Sequence, residues 1–238
     1  GFVSAAAFGT MAAAPDGSVH VLWIDTRHMH HDSVSGSMYA TVSRDDGRSF
    51  SLEHSIVNSG VCPCCQLMAV TNDRSELLLG SRKVLPGNIR PATVMYLSSA
   101  SKADPVAISI GGAPWQIEGC PLKPTAVAVD GNRVFAAVHN AGEEKPGVIF
   151  SVSKDDAAHF DFKGLVHPGA AISDAPSIAS NGKTVLIAWH ARANGPRHVF
   201  YRYYSLDGEP RGDIQEIPTG DNAAQAPVLA VRSDGNYQ

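Results

Sequence analysis

The side chains best suited to chemistry in this 238-residue sequence fall into tight groups. Three of its four cysteines form Cys62-Pro63-Cys64-Cys65, and the fourth is Cys120. Four cysteines admit two disulfides in any of three connectivities, and disulfides imply an oxidising compartment. The same residues could instead form a thiolate metal site or reactive thiols, although their spacing matches no paired C-x-x-C zinc pattern. A second group is His28-Met29-His30-His31, followed by Asp32. Imidazole combined with thioether or thiolate suits copper or zinc. The candidate metal ligands are therefore His28, His30, His31, Cys62, Cys64, Cys65 and Cys120, with disulfides preferred for the cysteines.

These residues need a scaffold, and the composition limits what it can be. Apolar residues make up 44% of the chain, enough for a sizeable core, and 18% are charged. The net charge of −4 leaves no basic footprint for nucleic acid. No apolar run reaches the roughly 18 residues of a spanning helix. Four cysteines and no visible signal peptide make an extracytoplasmic setting the expected one, with any export signal already removed. The chain opens at Gly1 rather than Met, which is read as processing or a fragment.

No segment carries a sustained 3.6-residue apolar period. Short runs rich in Val, Ile, Ala and aromatics alternate with turn dipeptides, an all-β pattern. Five turns recur in one setting, between an Ala-containing apolar run and a second apolar run. Their residues Asp16, Asp73, Asp130, Asn181 and Asp234 stand 57, 57, 51 and 53 residues apart. A third strand follows each of the first four hairpins: 37–43, 92–98, 147–153 and 199–205. A short turn and a fourth strand complete each unit. Four strands repeated every 50–60 residues are the signature of a β-propeller blade. The expected blades span about 8–58, 61–110, 120–166 and 174–218, with a partial fifth over 223–238.

The segment Ser43-Arg44-Asp45-Asp46-Gly47-Arg48-Ser49-Phe50 follows the first third strand. It resembles the Asp-box, S-x-D-x-G-x-[ST]-[FW], of the sialidase (neuraminidase) superfamily of BNR-repeat proteins. Ser153–Phe160 is a second copy without the Gly, and Ser205-Leu206-Asp207-Gly208 is a partial third. Trp23–Arg27, the Cys62–Cys65 cluster, Gly87-Asn88-Ile89-Arg90 and Gly119-Cys120-Pro121 also look like segments of bacterial sialidase-like proteins. The resemblance implies a six-bladed propeller, apparently incomplete here, with other residues of the protein or other chains closing the ring. It places the Asp-box, with its aromatic packed beneath the blade, on the plain face, so it argues fold and leaves function to a site.

In a propeller, the loops joining second to third strands share a face with the connections between blades. Asp25, Arg27, Arg82, His139 and His190 stand at or just past the ends of second strands. Cys65, Lys123 and Asp174 stand near the starts of innermost strands. All are expected to rim the channel mouth, where a carbohydrate or other small ligand would bind. The bland alternatives are an Asp25–Arg27 pair tying blades together and hydrogen-bonded structural histidines. Glu143 and Glu144 read as a solvated loop tip.

A sialidase holds its substrate carboxylate with three arginines, because a planar guanidinium binds it through two parallel hydrogen bonds. It uses a Tyr nucleophile activated by a Glu, and an Asp as acid/base. The resemblance therefore implies Asp25, Arg27, Arg82 and Arg90 as catalytic candidates. Lys123, His139, Asp174, His190 and Arg197 are the ligand-binding ones. The Arg-Ile/Leu-Pro motif of the family is absent, and Tyr39, Tyr96 and Tyr201 fall in third strands. Glu118 is the acidic residue beside an innermost strand. Three expectations follow: a ligand-binding or assembly propeller, an exo-α-sialidase-type hydrolase, and a copper or zinc protein using the Cys/His face.

Overall fold

The computed structural model describes residues 5–29, 35–98, 105–170, 172–192, 195–220 and 222–238. It folds into four antiparallel four-stranded sheets, each a simple meander. The first holds β1 (Ala6–Ala13), β2 (Val19–Asp25), β3 (Gly36–Ser43) and β4 (His54–Val61). The second holds β5 (Met68–Thr71), β6 (Leu77–Arg82), β7 (Ala92–Leu97) and β8 (Ala107–Ser109). The third holds β9 (Ala126–Asp130), β10 (Arg133–Asn140), β11 (Gly147–Ser153) and β12 (Asp161–Leu165). The fourth holds β13 (Ile172–Ser180), β14 (Val185–Arg192), β15 (His198–Tyr204) and β16 (Pro210–Glu216). The chain forms two compact units, one over 1–109 and 116–125, the other over 110–115 and 126–238.

The turns explain why strands form where they do. Asp16 and Asn72 each fold a side-chain oxygen back onto the amide two residues ahead, at 2.9 and 3.0 Å. Asn181 and Asp234 do the same at 3.1 and 3.0 Å. Such self-capping turns reverse the chain locally and set the register of the hairpin. The last turn closes a fifth hairpin, in which Ala230 and Gln238 exchange two 3.0 Å backbone bonds. The second strand expected beyond Asp234 is thus already paired.

Burial explains the apolar runs. β6 and β11 are buried along their whole length, and β14 for all but its last residue. A strand covered on both faces is free to read as an unbroken apolar run. The first unit closes around Leu22, Ile24, Met38, Leu67, Leu79 and Met95. The second closes around Phe135, Phe150, Ile187, Trp189 and Tyr204. Inside the first unit, Thr71 Oγ1 donates to the Ala13 carbonyl at 2.8 Å, joining β5 to β1. Inside the second, the Leu229 amide donates to Ser177 Oγ at 2.9 Å, holding the fifth hairpin to β13.

Two β3–β4-type turns share one hydrogen-bond scheme. Asp45 accepts from the Ser49 amide at 2.9 Å and from the Ser49 and Ser43 hydroxyls at 2.6 and 2.8 Å. Those donors, Ser49 first, hold its carboxyl at about 2. Asp155 repeats the arrangement with His159 and Ser153 and is also held at about 2. Each turn holds two left-handed residues, Asp46 (φ 60°) and Gly47 (φ 80°) in one, Asp156 (φ 55°) and Ala157 (φ 65°) in the other. Gly47→Ala is therefore expected to cost about 1 kcal/mol, and Ala157→Gly to cost far less or to stabilise. Urea unfolding of the two variants checks this contrast. Phe50 is 47% exposed rather than packed beneath its sheet, because the chain after Ser49 runs out along the surface before β4 begins.

A buried donor makes one histidine sensitive to pH. Trp189 is fully buried, and its indole Nε1 donates to His167 Nδ1 at 3.2 Å. Nδ1 must therefore be unprotonated, and burial pushes the His167 pKa below 6.5. The unfolded chain binds that proton more readily, so the stabilisation is present at neutral pH. It is lost as pH falls below about 6.5 through the lower folded value. The melting temperature is expected to drop between pH 7.5 and 5, and less so in His167→Gln. That comparison isolates His167 from His20, which burial shifts in the same direction.

Candidate functional site

In the first unit, β2 ends on Asp25, whose carboxylate is 3% exposed. It accepts from the Arg27 amide at 2.8 Å, Arg27 Nη2 at 2.7 Å and Trp23 Nε1 at 3.2 Å. Arg27 also binds Glu53 at 2.5 Å and lies 4.3 Å from the centroid of the Tyr39 ring. The Arg27 hydrogen bond, opposed by burial, leaves Asp25 at about 2. Asp25 is therefore a carboxylate throughout the neutral range. Arg27 is engaged on both sides of its fork, so the pairing alternative describes these two residues. Glu53 carries no motif and stands 26 residues away in sequence, so only the β3–β4 hairpin reveals it. His28 Nε2 lies 3.2 Å from the Tyr39 hydroxyl. His30 and His31 lie outside the described residues.

A second group in this unit gathers the remaining arginines and the cysteines. Arg82 ends β6 and Arg90 precedes β7, joined by a loop holding the 3-10 turn Pro86–Asn88. Arg82 Nη1 donates to the Arg90 carbonyl at 2.7 Å, and the Cys62 amide donates to the Arg82 carbonyl at 2.9 Å. Both guanidinium side chains are buried, with Arg82 1% and Arg90 4% exposed. Arg90 Nη1 approaches Cys62 Sγ at 3.6 Å, its Nε makes no hydrogen bond, and burial pushes its pKa down. Among the described residues no carboxylate lies within ion-pair distance of Arg90. Glu118 is held instead by Asn88 Nδ2 at 2.6 Å. Lys123 lies in the segment leading to the second unit, two residues before Thr125, which donates to the Ser81 carbonyl at 3.0 Å.

All four cysteines are bonded, Cys62 to Cys65 and Cys64 to Cys120. The disulfide alternative is thus the one the structure carries, and these sulfurs are not thiolates in it. The thiolate site offered by the sequence is corrected accordingly for this state. Adjacency in sequence could not reveal the pairing, because the chain must turn within Cys62–Cys65 before the connectivity is defined.

In the second unit three expected ligand residues meet. Asp174 is the register partner of His190. His139 Nδ1 is 4.0 Å from Asp174 Oδ1 and donates to the Ser173 carbonyl at 2.7 Å. His190 Nδ1 accepts from the Ala226 amide at 3.1 Å. Both rings thus carry a hydrogen bond to the backbone. Arg197 stands apart, with Nη1 donating to Gln225 Oε1 at 3.1 Å beside Arg192. Glu143 is not a solvated tip: its Oε1 accepts from the Ala113 amide at 2.6 Å. The adjacent Gly142 lets the loop press so close that a Cβ would overlap the Ala113 and Pro114 carbonyls.

Four antiparallel four-stranded meanders are the blades of a β-propeller fold, and the solved structures they match make it a sialidase-like one. No family model and no curated protein matches the chain. Solved structures do. A Hadza microbial sialidase is 14% identical with a TM-score of 0.56, the alignment covering 86% of this chain and 44% of that one. An α-L-arabinanase of Penicillium chrysogenum, complexed with arabinobiose, is 11% identical with a TM-score of 0.62, covering 94% and 70%. The Trypanosoma rangeli sialidase, in complex with 2,3-difluorosialic acid, is 14% identical with a TM-score of 0.57, covering 98% and 42%. The chain thus spans less than half the length of either sialidase.

Proposed function

We propose that this chain belongs to an extracytoplasmic sialidase-like propeller that binds a carboxylate-bearing carbohydrate, with Arg90 and Arg82 holding the carboxylate. The observation that carries this reading is Arg90, a side chain 4% exposed whose Nε makes no hydrogen bond and which has no carboxylate within ion-pair distance among the described residues. A buried charge without a partner is costly, and an incoming anion is the natural compensation. The two disulfides support an oxidising compartment. The two Asp-centred turns support the Asp-box resemblance, and the meander supports blades over about 8–58, 61–110, 120–166 and 174–218. Carbohydrate enters through the sialidase and arabinanase folds that this chain resembles.

Binding is preferred to hydrolysis because Asp25 is pinned as a carboxylate by Arg27. Among the described residues, the tyrosines nearest these loops sit in third strands. Calorimetric titration with sialic acid, uronic acids and their neutral methyl esters tests the reading. The free acids are expected to bind, the esters to bind at least tenfold more weakly, and Arg90→Ala to lose the difference. Equal affinity for acid and ester sinks the proposal. Turnover of a fluorogenic sialoside moves the protein to the hydrolase class.

A further inference from the structure

Three of the four disulfide sulfurs cluster. Cys62, Cys64 and Cys65 offer Sγ atoms within 4.8 Å of one another, while Cys120 stands outside that group and joins it through its bond to Cys64. Cys62 Sγ and Cys64 Sγ are not bonded and stand 3.9 Å apart. Tetrahedral zinc with Zn–S bonds of about 2.3 Å sets its sulfurs about 3.8 Å apart. The unbonded pair already has that spacing. Opening a standard disulfide of about 2.0 Å to that edge asks each sulfur of the Cys62–Cys65 pair to move about 1 Å, and Cys120, released from Cys64, has farther to swing in.

Arg90 is a second, independent pointer. Its buried Nη1 faces Cys62 Sγ at 3.6 Å, yet a disulfide sulfur is a neutral, weak acceptor. Four thiolates around a divalent cation carry two surplus negative charges, and a guanidinium beside them is the expected outer partner. Cys120 is exposed and Cys64 half-buried, whereas Cys62 and Cys65 are buried. Reductant and metal therefore enter from the Cys120 side.

We propose that reduction converts Cys62, Cys64, Cys65 and Cys120 into a tetrathiolate site for a soft closed-shell cation, Zn2+ or Cu+, with Arg90 balancing its charge. Two dithiol molecules are oxidised to disulfides while the protein's two disulfides take up four electrons and four protons. Zn2+ then displaces the four thiol protons. The site exists only in the reduced chain, so it is separate from carboxylate binding, which belongs to the oxidised chain.

The test reduces the full chain with a phosphine, which supplies the same electrons without competing for metal, and titrates Zn2+ against a chromophoric chelator. One Zn2+ per reduced chain is expected, none per oxidised chain, and a higher melting temperature for the reduced chain once Zn2+ is added. The Cys64→Ser/Cys120→Ser double variant is expected to lose at least 100-fold in affinity. Arg90→Gln is expected to lose about 10–100-fold, with Arg90→Lys recovering most of it. Failure of the reduced chain to take up Zn2+, folded or not, overturns the site, as does equal uptake by the double cysteine variant or by the oxidised chain. Unchanged affinity in Arg90→Gln removes Arg90 from it. Carboxylate titration of the oxidised chain is read independently, so either proposal can fail alone.

Discussion

Replacing Cys64 and Cys120 together by alanine is expected to lower the free energy of unfolding by about 4 kcal/mol. The bond closes a loop across 56 positions of sequence, and loop-closure entropy for that length gives this magnitude. In the oxidised chain the two side chains do little besides form this bond. Cys120 is exposed and Cys64 half-buried, so their side chains contribute little packing, and the loss measures the cross-link itself. The Cys62–Cys65 bridge spans only 3 positions and constrains the unfolded chain by about 2 kcal/mol on the same reasoning. Guanidinium unfolding of oxidised wild type and the double variant compares them directly. A loss below about 1 kcal/mol would show that the bond restrains little of the unfolded ensemble.

Arg90→Met is expected to move stability the other way, upward by about 1–3 kcal/mol, while removing carboxylate binding. Replacing a buried charge by an apolar side chain of similar length often stabilises, and Arg90 gives up no ion pair within reach among the described residues. A purely structural arginine predicts the opposite sign, since it makes bonds whose loss is felt. Paired melting and titration measurements separate these outcomes. A protein that is both less stable and still able to bind the acid would refute the assignment of Arg90.

Much of the fold was legible because its signals are local. The Asx-type turns at Asp16, Asn181 and Asp234 act within three residues, and third strands such as Gly147–Ser153 lie where the sequence placed them. The sites were legible only in part. Arg82 and Arg90 flank one short loop, so sequence brought them together. Glu53 under Arg27 and Ser173 under His139 are held by pairing between strands, and no local pattern announces them. The charge state of Asp25 was hidden for the same reason. Its protonation is set by Arg27 and Trp23 folding back upon it, and a spacing of two residues does not reveal whether the side chains meet.

The meander has a kinetic consequence. Every strand pair within a sheet joins neighbours in sequence, so each sheet can assemble by closing short loops, which is fast for a β protein. Contacts between distant segments come on top of these, among them Thr71 to Ala13, Thr125 to Ser81, Leu229 to Ser177 and the Cys64–Cys120 bond. Sheet formation and sheet docking are therefore separable events on the folding path. The slow step is the one that must wait for an oxidant, and a newly made chain would carry formed sheets before its sulfur bonds are closed.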